Sequence, residues 1–289
     1  LILDKPLGLT STQAIGKARR LVGGKKVGHG GTLDPLATGV LPLAFGEATK
    51  IIPYVMDHTK IYDFSIGWGE SRSTDDAEGE ITATSDKRPT EAKIMAALPR
   101  FTGEILQKPP AFSAIKINGE RAYDLARAGE APEMKERPVT IFALELLQNG
   151  SKEASFRVKC GKGTYVRSLA RDLSLFLGTY GYVTQLRRLA VGSFGIENAI
   201  SLEKLEELSH KGDAQKALLP LAAALDDIPG LQLTASEAQA LRQGMGLLIR
   251  PHHIPLMKNR IVLASFQEVP VALVEPLDGR FVVARGFNF

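Results

Sequence analysis

Gly28-His29-Gly30-Gly31-Thr32-Leu33-Asp34-Pro35-Leu36-Ala37-Thr38-Gly39-Val40-Leu41-Pro42-Leu43-Ala44-Phe45-Gly46 gathers five glycines, two prolines, one histidine and one aspartate into a single run. Three glycines within four residues let the backbone take conformations closed to other residues and approach a ligand closely. Asp34 precedes Pro35, which biases its own backbone to an extended form and keeps it out of a helix. The sequence therefore reads as a shaped loop presenting one carboxylate, with His29 five residues earlier. Val40 to Phe45 reads as the buried segment that anchors it. By composition alone the run is also compatible with a purely structural turn. It is not a nucleotide loop: no G-x-x-x-x-G-K-[ST] is present, and no G-x-G-x-x-G follows a strand and opens a helix.

Upstream, Asp4-Lys5-Pro6-Leu7-Gly8-Leu9-Thr10-Ser11 reads as a strand end and a turn, with Ser11 as the cap of a helix. Ala14, Ile15, Ala18, Leu21 and Val22 form its apolar face, and Gly23-Gly24 stops it. Lys17, Arg19, Arg20, Lys25 and Lys26 crowd its far side and exit, a pattern that suits either solvent or a phosphate backbone. Downstream, Lys60 to Trp68 alternates, placing Tyr62, Phe64, Ile66 and Trp68 on one face of a strand. Ser71 to Glu80 lacks the order of a calcium loop and reads as a solvated acidic turn. Thr90 is placed to cap a short helix through Ile94, Ala97 and Leu98. Lys108 to Arg127, with two prolines and a basic helix start, reads as a projecting loop. Glu153 to Cys160 alternates as a strand, and Gly161-Lys162-Gly163-Thr164 turns it into a helix. That helix directs Val166, Leu169, Ala170, Leu173, Phe176 and Leu177 inward. Tyr165 and Arg167 sit in its first turn, where side chains readily meet a neighbouring loop.

The 289 residues suggest two domains, with a boundary near Asp226-Asp227-Ile228-Pro229-Gly230. Beyond it, Thr234-Ala235-Ser236-Glu237 is a capping box. Strand-like pieces follow at Leu247 to Ile249, Ile261 to Phe266, Val269 to Val274 and Phe281 to Arg285, the pattern of a small β-barrel. With 44% hydrophobic and 24% charged residues, the composition is that of a soluble globular protein. No apolar run approaches the ~18 residues of a membrane span. The first residues carry neither a basic nor a long apolar segment, so no secretory signal is expected. Cys160, the single cysteine, excludes an internal disulfide and fits a reducing cytoplasm. Five histidines at 29, 58, 210, 252 and 253 form no zinc spacing, so no metal site is expected. A net charge of +4 suggests a polyanionic partner.

Gly28 to Gly39 closely resembles the signature loop of the TruB family of tRNA pseudouridine-55 synthases, residue for residue over twelve positions. Four further stretches resemble the same family: the opening D-K-P-x-G-x-T-S, and P-P-x-x-S-A-x-K-x-x-G-x-R-x-Y from Pro109 to Tyr123. The others are G-T-Y-V-R-S-L-A-R-D-L from Gly163 to Leu173, and L-R-R-x-x-V-G from Leu186 to Gly192. Trp68 departs from the usual family wording. The C-terminal residues resemble a PUA module more loosely.

The resemblance implies an α+β fold, a mixed, mostly antiparallel sheet flanked by helices, in a catalytic domain over 1–228. An RNA-gripping insertion at about 104–138 and a PUA-like RNA-binding barrel over 229–289 complete it. It implies isomerisation of uridine 55 in the tRNA T-loop, with Asp34 as the catalytic carboxylate and Arg167 as its ion-pair partner. Tyr165 is the active-site tyrosine expected to move the proton at C5. His29 fills the space left by the extruded base, Tyr62 stacks on it and Leu186 closes the pocket. Lys5, Lys116 and Arg121 are further substrate-binding candidates, Lys116 and Arg121 with Arg127 on phosphates. No cofactor or metal, no membrane and no protein partner is implied, and a cytoplasmic monomer acting on the T-arm of tRNA is expected. Two alternatives stand beside this: a catalytic subunit steered by a guide RNA, and an RNA-binding or RNA-folding protein with little catalysis.

Overall fold

The computed structural model describes residues 1–113, 115–117, 119–122, 134–225 and 228–288, with residues 116, 117 and 121 described by their backbone alone. The N-terminal helix forms over Ser11–Val22 and is closed by Gly23 in the left-handed conformation. Its cap is Thr10, not Ser11: the Thr10 hydroxyl accepts from the Gln13 amide, and the Gln13 side chain closes a capping box. Ser11 lies one residue inside, where its hydroxyl is buried and turned to another task. It donates to the Leu33 carbonyl and accepts from the Leu33 amide, both at 2.8 Å. Two adjacent hydroxyls thus divide the work between helix and loop, a division that local spacing does not resolve.

Ten strands build the large sheet. Its path runs Ile200–Ser201, Ile2–Lys5, Ala37–Phe45, Gly181–Val191, Lys60–Trp68, Glu153–Cys160, Arg137–Asn149 and Gly103–Gln107, with Val27–His29 and Phe194–Gly195 paired alongside. Most neighbours are antiparallel, but Gly181–Val191 runs parallel to Ala37–Phe45 and antiparallel to Lys60–Trp68. Gly103–Gln107 and Arg137–Asn149 pair antiparallel, and the expected insertion lies between them in sequence. Within it, Lys116–Ile117 pairs with Glu120–Arg121 in a short hairpin, whereas Arg127 and most of the basic helix start lie outside the described residues.

One core cluster joins the Phe64, Ile66 and Phe156 side of the sheet to Leu169, Ala170 and Leu173 of the helix Val166–Phe176. A second packs Leu3, Leu41 and Leu43 against Ala14 and Ala18 of the first helix and Leu205 of the helix Leu202–His210. Tyr62 and Leu186 touch both. Phe176, read as inward-facing, is 52% exposed instead. It lies at the helix end, edge-on to Phe101 and under the Arg100 guanidinium, so neighbouring side chains rather than the core cover part of it.

A second sheet of five strands curls over the C-terminal residues, in the order Gly230–Gln232, Val262–Phe266, Val269–Leu277, Arg280–Gly286 and Leu247–Leu248. The strand Gly230–Gln232, which sequence reading did not include, runs parallel to Val262–Phe266. The helix Ala235–Arg242, capped by Thr234 and Glu237 as expected, covers one face. Leu263, Leu273 and Phe287 pack with Ile2, Val40, Val191 and Phe194, so the two sheets share a hydrophobic seam.

Lys5 is fully buried, and its ammonium donates to the carbonyls of Leu9 (2.7 Å), Pro6 (2.9 Å) and Pro35 (3.5 Å). The side chain ties the first turn to the loop after Asp34 from inside. Burial pulls its pKa from the ordinary 10.5 to about 8, against the opposing charge of Asp34. The folded chain releases this proton at about pH 8 and the unfolded chain near 10.5, so the unfolded chain binds more protons between those values. The group's contribution to stability therefore grows as pH rises across that window. Urea unfolding of the parent and Lys5→Met should show a stability difference that moves in the parent's favour from pH 7 to pH 9.5. A difference constant with pH would mean that the ammonium keeps an ordinary pKa.

Glycines are needed where the loop meets the central strand. Gly39 has φ +100°, and a Cβ there would lie 2.2 Å from the Arg188 carbonyl oxygen, so both conformation and space exclude a side chain. Gly16, in the first helix, faces open space. Gly39→Ala should cost about 3 kcal/mol or more through clash and strain. Gly16→Ala should stabilise by roughly 0.5–1 kcal/mol through helix propensity. Denaturant midpoints of the two variants test the contrast.

Candidate active site

Arg167 is the second residue of the helix Val166–Phe176, and its side chain is only 6% exposed. Its Nη2 lies 2.8 Å from Asp34 Oδ2 and also donates to the Phe112 carbonyl at 3.0 Å. Its Nη1 donates to the Thr74 carbonyl at 2.9 Å, and its Nε faces Asp76 Oδ2 at 3.6 Å. The Asp34 side chain keeps 40% of its surface open, so one oxygen is held by arginine while the group still faces solvent. Planar guanidinium geometry suits this role because its donors diverge in fixed directions.

Asp34 owes its position to its neighbours in sequence. Ser11 holds both polar groups of Leu33, the Gly8 amide donates to the Pro35 carbonyl at 2.9 Å, and Lys5 reaches the same carbonyl. The Ala37 amide closes back on the Asp34 carbonyl at 3.0 Å. The carboxylate is thus presented by a loop fixed on both flanks.

Tyr165 caps the same helix without a side-chain cap bond. The buried Gln107 amide takes its place: Oε1 accepts from the Tyr165 amide at 2.8 Å, and Nε2 donates to the Tyr165 carbonyl at 3.1 Å. Burial pushes the Tyr165 phenol pKa up, while the Ser113 hydroxyl beside it works the other way. Tyr62 is likewise pushed up by burial and eased by Arg188, so both phenols stay protonated at neutral pH. Tyr62 lies opposite Arg188, and Phe64 opposite Leu186, across the Lys60–Trp68 and Gly181–Val191 pair; Leu186 in turn lies opposite Ala37. Facing positions share a sheet face, so Tyr62 and Leu186 stand together beside the start of the strand that follows Asp34. His29 ends the strand Val27–His29, its Nδ1 buried with no well-formed hydrogen bond among the described residues. Burial pulls its pKa down, so the ring is neutral at pH 7.

The structure therefore brings Asp34, Arg167, Tyr165, Tyr62, Leu186 and His29 into one region around the glycine loop. It places the Lys116 and Arg121 backbones in the insertion hairpin. The acidic turn departs from expectation. Asp76 is 2% exposed and faces Arg167, while Asp75, at φ 60°, pairs with Arg171 at 2.8 Å. The turn is drawn inward because two arginines of one helix need anions, a long-range demand that local composition does not carry. Gln107 also went unrecognised, since a lone glutamine in a strand has no signature. Among the described residues, no group of three or more His, Cys, Asp or Glu side chains is arranged to hold a metal ion. No helix among them is long and apolar enough to cross a membrane.

The chain is similar to known proteins over its whole length. Residues 19–166 match the TruB family pseudouridylate synthase N-terminal domain, and 167–226 match the tRNA pseudouridylate synthase B C-terminal domain. Proteins named tRNA pseudouridine synthase B from Bradyrhizobium diazoefficiens and Rhodospirillum rubrum are each 50% identical over the whole chain, which spans 85% and 96% of their lengths. That from Caulobacter vibrioides is 49% identical over the whole chain and 95% of its own length. Among solved structures, a Cbf5-Nop10-Gar1 complex contains a chain of like fold, with a TM-score of 0.76 at 24% identity, covering all of this chain and 83% of that one. On these matches, the chain belongs to the TruB family of pseudouridylate synthases.

Proposed function

We propose that the protein isomerises uridine to pseudouridine in tRNA, at position 55 of the T-loop, using Asp34. The observation that carries this is a half-open carboxylate held at 2.8 Å by a buried arginine inside the family's signature loop. The reaction breaks the N1–C1′ bond and joins C5 to C1′; the C5 proton leaves and N1 gains one, so composition is unchanged. No electrons enter or leave, and no redox carrier is required.

Asp34 must be ionised to add to, or stabilise positive charge on, the detached pieces, and Arg167 favours that form while fixing its direction. The target base must leave its stack, at a cost of a few kcal/mol. His29, a neutral ring on the glycine loop, is suited to the vacated space; Tyr62 and Leu186 form the apolar walls for the flipped ring. Tyr165 is the candidate for proton movement at C5. Lys116 and Arg121 act on the T-arm phosphates from the insertion hairpin. The division at 228/229 assigns the curled sheet to a PUA-like RNA-binding domain. The enzyme acts as a cytoplasmic monomer without a guide RNA or protein partner, a reading supported by the near-full-length likeness to the synthase B proteins.

Tritium release from tRNA labelled at uridine C5 tests the assignment, because that proton must leave. The parent should release tritium from a bare transcript, and Asp34→Asn should lose turnover by about 10³-fold or more while binding tRNA within threefold of the parent. The variant should fold, because Arg167 keeps Asp76 and two carbonyls. Normal release by Asp34→Asn would overturn the assignment of Asp34. Release by the parent only after adding a guide RNA would favour the guided subunit, and tight binding without release the RNA-folding protein.

A further inference from the structure

Arg188 is 1% exposed and heads the fully buried side chains by volume. A guanidinium keeps its charge in any protein environment, so burial on this scale requires acceptors built around it. Its Nε donates to the Val40 carbonyl at 2.7 Å and its Nη2 to the Gly31 carbonyl at 2.9 Å. Those two carbonyls bracket the segment that carries Asp34. The main chain of Arg188 lies against Gly39, where the 2.2 Å approach excludes a Cβ, so this one residue meets the loop at both ends. On its other side the residue faces Tyr62 across the sheet, with the guanidinium carbon 6.0 Å from the ring centroid.

We propose that Arg188 is a positioning residue for the isomerisation: its guanidinium holds the Asp34 loop and the Tyr62 ring in fixed relation, so that the carboxylate and the stacking wall meet the same flipped base. The proposal rests on the reading of the site as a synthase. It follows from geometry, since the residue contacts both partners from inside the sheet and its surface is closed to RNA. A lysine keeps the charge but, as a point donor on a flexible stem, does not span two carbonyls in a fixed plane. Misplacement of a reacting group by about 1 Å costs on the order of 10²-fold in rate.

The test uses the full chain and tRNA labelled with tritium at uridine C5, under single-turnover conditions with saturating enzyme. Arg188→Lys is expected to lower the rate constant by about 30-fold or more, with the amplitude of release and the affinity for tRNA within threefold of the parent. The split is diagnostic: a merely structural role would shrink the folded fraction, and so the amplitude, while leaving the rate constant of the remaining molecules unchanged. Arg188→Met carries no charge to desolvate and serves as the second variant if the lysine variant does not fold; the same loss of rate constant is expected. A rate constant within threefold of the parent in a folded variant overturns the positioning role, as does a loss matched by an equal loss of tRNA affinity. Absence of release from the parent removes the synthase reading itself, and this proposal with it.

Discussion

Three separate pieces of chain meet at one guanidinium. Arg167, in the first turn of a core helix, receives the Asp34 carboxylate from the glycine loop, Asp76 and the Thr74 carbonyl from the acidic turn, and the Phe112 carbonyl from the stretch after Gly103–Gln107. A charge buried to this degree is tolerated only when its donors are satisfied, and none of the three pieces supplies enough acceptors alone. The requirement therefore runs both ways. The arginine orients the carboxylate, and the buried cation makes it costly for the turn or the chain at Phe112 to move away.

The same device recurs with main-chain oxygens in place of carboxylates. Lys5, Lys60 and Arg188 are all buried, and each donates to carbonyl groups: Lys5 to Pro6, Leu9 and Pro35, Lys60 to Met56 and His58, Arg188 to Gly31 and Val40. Carbonyl acceptors stabilise a cation without cancelling it. Positive potential therefore persists beneath the site, where it pulls the His29 pKa further down and eases the rise at Tyr62.

Much of this was legible in the sequence because the informative residues are contiguous. Asp34, His29 and the glycines fall in one run; Tyr165 and Arg167 fall in another, and the pairing of Arg167 with Asp34 was implied by resemblance to the family. Strand alternation placed Tyr62, and helix periodicity placed Leu169 and Leu173. What escaped notice depends on distance in space. Asp76 looks like any acidic turn residue until Arg167 is packed above it. Ser11 looks like a helix cap until Leu33 is brought beside it. The three carbonyls that close around the Lys5 ammonium come together only in the folded chain. Phe176 has the residue type of a core position, but the helix ends there and the sheet lies to one side.

The shared seam between the sheets bears on how such a chain can change over evolutionary time. Val40 gives its carbonyl to Arg188 and its side chain to the cluster that includes Leu263, Leu273 and Phe287. The C-terminal sheet is consequently not an interchangeable module on a tether. Replacing it with an unrelated unit would expose the back of the strand that follows the glycine loop, so drift on either side of the seam must be matched on the other.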